Sequence, residues 1–287
     1  MGTDCDLTLL GGTPELLDLA VDRVEELEAR WSRFRPTSEL LRLHDHPGRP
    51  VVVSDDTFAV LELALAAWRD TRGAFDPSVH DAVRAAGYTD DFAALPPDGG
   101  PVPSGTPAPG LAEVRLDPLV RSVTLPPGVH LDLGCIGKGR AADVVAAELL
   151  AHGASGVCLS LGGDVRLAGE PPTSGWIVDV EELPGTRLAL ARGGIATSAR
   201  TRRRWRRGGT DLHHLIEPST GNPVAGAGRA VTVIAGTAAE AEVLAKALYL
   251  LGPGPVAPLL AERGATGVVV DDAGHAHPLP GFADYLR

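Results

Sequence analysis

The segment LDLGCIGKG, residues 131–139, carries the residue types best suited to chemistry. An aspartate ends a short apolar run, and three glycines and Lys138 precede an Ala-rich stretch that predicts a helix. Glycine N–H groups can approach a phosphate closely, a helix N-terminus adds positive potential, and a lysine adds a mobile cation. The spacing fits neither a Walker A loop, because Gly139 follows the lysine, nor a dinucleotide fingerprint. The segment predicts a phosphate-binding loop or a tight turn with a solvated lysine.

Two further turns have a structural and a functional interpretation. The stretch TRGAFDP at 71–77 predicts a helix end followed by an Asx-Pro turn, or a wall that places backbone and the Phe75 ring against a flat aromatic ligand. The stretch LGGD at 161–164 predicts a hairpin turn, or a place where a ligand approaches the backbone closely.

His214 is a candidate general base because it lies between a short predicted strand and a Pro/Gly turn, and imidazole titrates near neutral pH. His213, His214 and Glu217 could instead bind a metal ion. A third interpretation is a half-buried histidine that bonds to backbone.

The predicted helix over residues 237–248 places Glu242 and Lys246 four residues apart on one side. That spacing and order favour a surface ion pair. Few charged residues flank the two, so the same side of the helix could also face a cleft.

The elements that must position these residues form short antiparallel runs of strands with helices between them, which predicts an α+β fold and not a doubly wound parallel sheet. Strands are predicted at 4–10, 113–116, 122–125, 130–133, 157–161, 176–181, 187–191, 211–217, 229–235 and 266–271. Helices are predicted at 14–34, 57–72, 141–152, 237–251 and 256–263, the second capped by Ser54 or by the two aspartates after it. The Pro/Gly-rich stretch 95–110 predicts a loop.

Composition limits the classes of function. The chain has 287 residues and a formal net charge of −11, which argues against general binding to nucleic acid. Its three cysteines form neither a paired framework nor a metal-ligand spacing. The sequence has no apolar run long enough for a transmembrane segment and no signal-peptide or lipobox pattern, so we expect a cytoplasmic protein.

Taken together, the stretches resemble the ApbE family of FAD:protein FMN transferases almost from end to end. The matching motifs, in the family's order, are MGT at the start, RFRPTSEL at 33–40, GAFDP at 73–77, DLGxxxKG at 132–139, LGGD at 161–164, ATS at 196–198, HLIEPxTG at 214–221 and the helix over 237–248.

The resemblance implies one ApbE-like domain over residues 1–287, an α+β fold related to the T-fold, with antiparallel sheets, flanking helices and an FAD cleft between lobes. It implies transfer of FMN from FAD to a Thr or Ser hydroxyl of an acceptor flavoprotein, with release of AMP. His214 matches the family's base. The residues that match the family's FAD contacts are Met1, Phe34, Ala74, Phe75, Asp76, Asp132, Lys138 and Ile216.

The resemblance also implies Mg²⁺, held by a backbone carbonyl near Cys135 and by an Asp and a Thr on the last helix. Glu242 and Lys246 stand at those two positions, and a protonated lysine cannot bind a cation. Three alternatives follow. Lys246, held in place by Glu242, could supply the positive charge that the metal supplies elsewhere, or Glu242 alone could recruit metal together with FAD phosphates and water. In the third alternative the chain binds flavin but has lost transfer. An FAD pyrophosphatase and a non-catalytic flavin-binding protein are therefore alternatives. The arginines over 200–207 predict a solvated loop or a dock for an acidic acceptor.

Overall fold

Helices and strands follow one another without the strict alternation of a doubly wound fold. The computed structural model describes residues 3–96, 98, 100–224 and 226–287. The helices are α1 (Glu15–Trp31), α2 (Glu39–His44), α3 (Asp55–Asp70), α4 (His80–Ala85), α5 (Gly137–Ala151), α6 (Ala238–Leu251) and α7 (Pro253–Glu262). The strands are β1 (Cys5–Leu10), β2 (Val51–Val52), β3 (Arg115–Asp117), β4 (Ser122–Thr124), β5 (Gly156–Leu161), β6 (Asp164–Gly169), β7 (Trp176–Asp179), β8 (Arg187–Leu190), β9 (Gly193–Ala199), β10 (Arg204–Arg207), β11 (Thr210–His213), β12 (Ile216–Glu217), β13 (Asn222–Pro223), β14 (Ala230–Ala235), β15 (Thr266–Val270) and β16 (Ala276–Pro278).

A seven-stranded sheet organises the fold, in the order β1-β5-β6-β9-β14-β15-β16, and every neighbouring pair is antiparallel. Smaller sheets are formed by β2-β4-β3, β7-β8, β10-β11 and β12-β13. The α+β prediction is confirmed.

The two faces of the sheet are buried against different partners. In β14, Val231 and Val233 pack with α6 and α7, whereas Ala230 and Ile234 pack with β7, β8 and the C-terminal Phe282. Side chains alternate across a strand, so one strand can line two cores. Helix α5 joins α1 and α3 in a further core over β5. Helix α5 also meets the N-terminus of α6, where the N–H groups of Ala238 and Ala239 donate to the Asp143 carboxylate, so the glycine loop (residues 131–139) and its first helical turn lie close to α6.

Most predicted elements are confirmed to within a few residues, and Ser54 caps α3 by accepting the N–H of Thr57. The predicted LGGD hairpin is also confirmed, since Gly162 and Gly163 join β5 to β6 with φ of 60° and 87°, which suits glycine. Helix α5 begins at Gly137, earlier than predicted.

Two predicted strands are wrong. Residues 130–133 lead instead into a 3-10 turn over Leu133–Cys135, because the Asp132 side chain accepts the N–H of Gly134 and caps that turn. The predicted strand 211–217 is two strands, β11 and β12, interrupted at His214 and Leu215.

In the Pro/Gly-rich stretch 95–110, all residues except Pro97 and Gly99 are described, and none of the described residues lies in a helix or strand. It is anchored by backbone, since Ala108 N–H donates to the Pro218 carbonyl at 2.8 Å. Across the residues that the structure describes, no helix combines the length and apolar character needed to cross a bilayer.

Candidate active site

A cleft of about 810 Å³ lies where the glycine loop, the end of the large sheet and α6 meet. That volume suits a ligand of nucleotide size or larger. Ten of the residues singled out from the sequence line it: Phe34, Ala74, Asp76, Asp132, Cys135, Lys138, His214, Ile216, Glu242 and Lys246. Met1 lies outside the described residues.

Asp76 forms one rigid wall of the cleft. Its carboxylate accepts hydrogen bonds from Trp68 Nε1 at 3.2 Å, Ser78 N–H at 2.8 Å and Ser78 Oγ at 2.6 Å. Burial raises the pKa of this carboxyl, although these hydrogen bonds oppose the shift. The expectation that the Phe75 ring contacts a ligand needs correction, because that ring is fully buried in the core and does not line the cleft.

Asp132 joins the glycine loop to two other segments. Its Oδ2 lies 3.1 Å from Arg33 Nε, and its N–H donates to the Pro77 carbonyl at 2.8 Å. The Arg33 guanidinium in turn lies 4.1 Å from the Phe34 ring centroid and 4.5 Å from that of Tyr88. Stacking of a planar cation on aromatic rings fixes this corner of the cleft.

Lys138 is held between two buried carboxylates. Its Nζ lies 3.0 Å from Asp164 Oδ2, and it also forms a close ion pair with Glu242 Oε1. The second oxygen of Glu242 accepts the N–H of Gly139 at 2.9 Å. These contacts tie α5, β6 and α6 together, and they leave the ammonium of Lys138 with anionic partners already in place.

Burial and mutual charge explain the pKa shifts of Lys138 and Glu242 within the triad that they form with Asp164. Burial alone lowers the pKa of the Lys138 ammonium, but Asp164 and Glu242 more than offset this, so its pKa is raised. Burial raises the pKa of Glu242 to about 7; Lys138 opposes that shift and Asp164 adds to it. One cation therefore serves two carboxylates, and the triad keeps a permanently charged lysine.

His214 lies in the bend between β11 and β12 and faces the cleft. Burial holds its pKa well below the usual range, and the positive charges of Lys246 and Lys138 add to the effect. Its Nδ1 is buried and has no hydrogen-bond partner within the described part of the chain. A neutral imidazole facing a cleft can accept a proton.

The predicted surface pair of Glu242 with Lys246 is wrong. Glu242 is buried and directs its carboxylate to Lys138 and Gly139 instead. Lys246 lines the cleft and makes no salt bridge or hydrogen bond within the described residues. The packing of α6 against α5 determines which lysine Glu242 pairs with. Lys138, in the first turn of α5, lies within ion-pair distance of Glu242, whereas Lys246 on the same helix does not pair with it.

The residues at the expected Mg²⁺ site do not fit the ion. Both oxygens of Glu242 are engaged, and Lys246 offers no lone pair when protonated, so neither side chain of α6 is available to complete a site with the backbone carbonyl near Cys135. The alternative metal set around His214 does not form among the described residues either: His213 Nδ1 accepts the Leu215 N–H, and Glu217 accepts from Ser219.

Arg33, Asp164 and Arg202 also line the cleft, although the sequence only placed them in the motifs at 33–40 and 161–164 and in the arginine stretch 200–207 and assigned none of them a ligand contact. Buried polar atoms without partners in the described residues include Arg33 Nη2, Arg202 Nε and His214 Nδ1. Orphaned donors along one cleft indicate a polar ligand there. Asp164 ends the matched LGGD motif, but the sequence interpretation of that motif rested on its glycines and gave the aspartate no role.

The arginine stretch is not a solvated loop. Arg204–Arg207 is strand β10, paired with β11, and its arginines have partners within the chain: Arg204 pairs with Asp211, and Arg207 donates to the carbonyls of Ala85 and Pro101. Docking of an acidic acceptor on this surface stays a prediction.

Comparison with known proteins places this geometry in a family. The model of the ApbE family matches residues 1–270. The chain is 28% identical over 249 residues to a FAD:protein FMN transferase of Vibrio cholerae serotype O1, covering 82% of this chain and 73% of that one. It is 30% identical to a FAD:protein FMN transferase of Treponema pallidum, covering 80% and 69%.

Solved structures agree with the sequence comparison. The crystal structure of the ApbE protein of Thermotoga maritima superposes with a TM-score of 0.84 at 25% identity, covering 98% of this chain and 96% of that one. The flavin transferase ApbE of Vibrio cholerae gives a TM-score of 0.80 at 23% identity, with 100% and 96% covered, which supports the fold. The chain belongs to the ApbE family.

Proposed function

We propose that this chain transfers the FMN half of FAD to a Thr or Ser hydroxyl of an acceptor flavoprotein and releases AMP. One observation carries the proposal: eight motif stretches, distant in sequence, all contribute residues to a single cleft of about 810 Å³. The names of the relatives and the orphaned polar atoms along the cleft support it.

In the proposed step, the acceptor hydroxyl oxygen attacks the phosphorus on the riboflavin side of the FAD pyrophosphate. A bond from that oxygen to phosphorus forms, and the pyrophosphate bond to AMP breaks, so AMP leaves with the electron pair. His214 accepts the hydroxyl proton, which its neutral state permits. Positioning and charge stabilisation supply most of the catalysis in such transfers.

We assign the positive charge at the pyrophosphate to Lys246 and not to Lys138. The Lys138 ammonium already lies between Asp164 and Glu242, whereas Lys246 faces the cleft without a salt bridge to a described residue. Phe34, Ala74, Asp76, Asp132 and Ile216 would form the walls around FAD. No step in this scheme requires a metal ion.

The products distinguish the proposal from its two rivals. The chain is incubated with FAD and a Thr-bearing acceptor domain, and the acceptor mass and free AMP are measured, with an acceptor whose Thr is replaced by Val as control. Transfer is supported if the acceptor that keeps its Thr gains the mass of one FMN and the Val control does not. AMP without a mass gain shows a pyrophosphatase, and bound FAD without either product shows a flavin-binding protein.

The role of Lys246 is tested with Lys246→Thr, which restores the hydroxyl of the family pattern. Wild-type transfer should be the same in Mg²⁺ and in EDTA, because a lysine supplies the charge. The variant should lose activity in EDTA and regain it with Mg²⁺. If both proteins respond alike to EDTA, the assignment of Lys246 is wrong.

A further inference from the structure

Three imidazoles and one carboxylate cluster together, and none of them is among the residues that line the cleft. His80 opens helix α4, His130 precedes the glycine loop, and His44 ends helix α2. The ring centroids of His44 and His80 are 5.1 Å apart, those of His44 and His130 are 5.1 Å apart, and those of His80 and His130 are 5.8 Å apart. Asp81 is the carboxylate.

Two of these rings point the same atom at the aspartate. His80 Nδ1 lies 2.9 Å from Asp81 Oδ1, and His130 Nδ1 lies 2.8 Å from Asp81 Oδ2. One ligand atom from each of these three residues lies within 4.8 Å of the other two, and no other set of three histidine, cysteine or acidic residues in the described part of the chain meets that criterion.

We propose that His80, Asp81 and His130 bind a divalent transition-metal ion, with Zn²⁺ as the best fit. Two imidazole nitrogens and one carboxylate oxygen are a common zinc ligand set. With bonds of about 2.0 Å, tetrahedral ligands lie about 3.3 Å apart, so each imidazole–carboxylate contact, at 2.8 or 2.9 Å, needs to open by only a few tenths of an ångström, and all three ligand atoms already lie within 4.8 Å of one another. Each imidazole binds the ion through Nδ1 as the neutral Nε2–H tautomer, so the proton that Nδ1 donates to Asp81 is given to solvent while Nε2 takes one up from solvent.

Exposure and packing shape this site for a fourth ligand from water. The Asp81 and His130 side chains are 59% and 37% exposed, so an ion can reach them, whereas His80 is buried and fixes the position of one ligand. His44 is not assigned as a ligand, because its Nε2 accepts the Leu131 N–H at 2.9 Å. Its ring instead packs edge-on against His80 and holds that ring in place.

The position of the site gives the ion a function. His80 follows the segment that carries Asp76, and His130 precedes Asp132, whose N–H donates to the Pro77 carbonyl. A metal between His80 and His130 would brace these two walls of the cleft. This role is separate from the transfer step, and binding of the ion is measurable whether or not the chain transfers FMN.

The test measures metal binding to the full chain after treatment with a chelator. Zn²⁺ stoichiometry is determined by equilibrium dialysis, and Co²⁺ is added as a spectroscopic probe of imidazole ligation. We expect one ion per chain, visible d–d absorption with Co²⁺, and a higher midpoint of thermal unfolding with Zn²⁺. His130→Ala and Asp81→Asn should each weaken binding by more than about 10-fold.

His277→Ala is the matched control, because His277 Nε2 also contacts an aspartate, Asp271, at 2.9 Å, but in the edge strand β16 of the large sheet and outside the proposed ligand set. This variant should bind the ion as the wild type does. Circular dichroism checks that the variants fold. We expect them to fold, because the side chains of His130 and Asp81 are partly or largely exposed. Absence of d–d absorption, or equal affinity in the wild type, His130→Ala and Asp81→Asn, would show that the cluster is only a hydrogen-bonded network.

Discussion

Lys138 should act mainly as a structural cation, and Lys138→Met tests this. The substitution keeps the length of the side chain but leaves the buried carboxylates of Asp164 and Glu242 without their cation. At the observed 3.0 Å from Nζ to Asp164 Oδ2, an effective dielectric constant of 20 gives a gross attraction of about 5.5 kcal/mol. Removing one partner of a buried pair costs about 3–5 kcal/mol, and we expect a loss of that size.

The loss should grow with pH. Without Lys138, a buried carboxyl of the folded state keeps a proton that the unfolded chain has already released, so the folded state binds more protons and the free energy of unfolding falls as pH rises. Urea unfolding by linear extrapolation at about pH 5.5 and about pH 8 measures this. Glu242→Gln, which leaves the Lys138–Asp164 pair intact, should lose at most about 1.5 kcal/mol. A Lys138→Met chain within about 0.5 kcal/mol of wild type at both pH values would refute the structural role.

Two other substitutions test the packing and the base. Gly139→Ala should destabilise the chain by about 1–3 kcal/mol, because the new Cβ would lie 2.6 Å from the Ala238 backbone. The control Gly254→Ala should not destabilise the chain, because no heavy atom lies within 4 Å of its Cβ position. Equal unfolding midpoints of the two variants would contradict the close approach of α5 to α6. Lys246→Met should raise the pKa of His214 by removing a nearby positive charge, so the acid limb of the pH profile of kcat/KM should move to higher pH; a limb that stays or moves lower would exclude that coupling.

The sequence was sufficient for elements whose local signals agree. Helix α3 has a serine cap and an apolar stripe, and the glycine pair at 162–163 permits a tight hairpin. Strand β9 was not predicted, because it lies at the centre of the sheet and is made of small residues. A Cβ on its Gly194 would meet the backbone of Thr237 and Ala238 at 2.3 Å, so the strand needs glycine where β propensity favours a larger residue.

Motif order identified most of the residues that line the cleft, but not how their charges pair. The spacing of Glu242 and Lys246 indicates a pair within one helix, and only the approach of α5 to α6 brings Lys138 nearer. Phe75 belongs to a matching motif, yet the turn sends its ring into the core. Motifs report which segments meet, whereas the packing of separate elements decides which atoms face the ligand.

The mass of an intact acceptor domain after incubation with FAD and this chain tests the central claim most directly. We expect a gain of one FMN on the acceptor, equal in EDTA and in Mg²⁺, with release of AMP. We also expect His214→Ala to abolish the gain while FAD binding remains nearly intact. No FMN gain under either condition, or unchanged transfer by the His214 variant, would contradict the account.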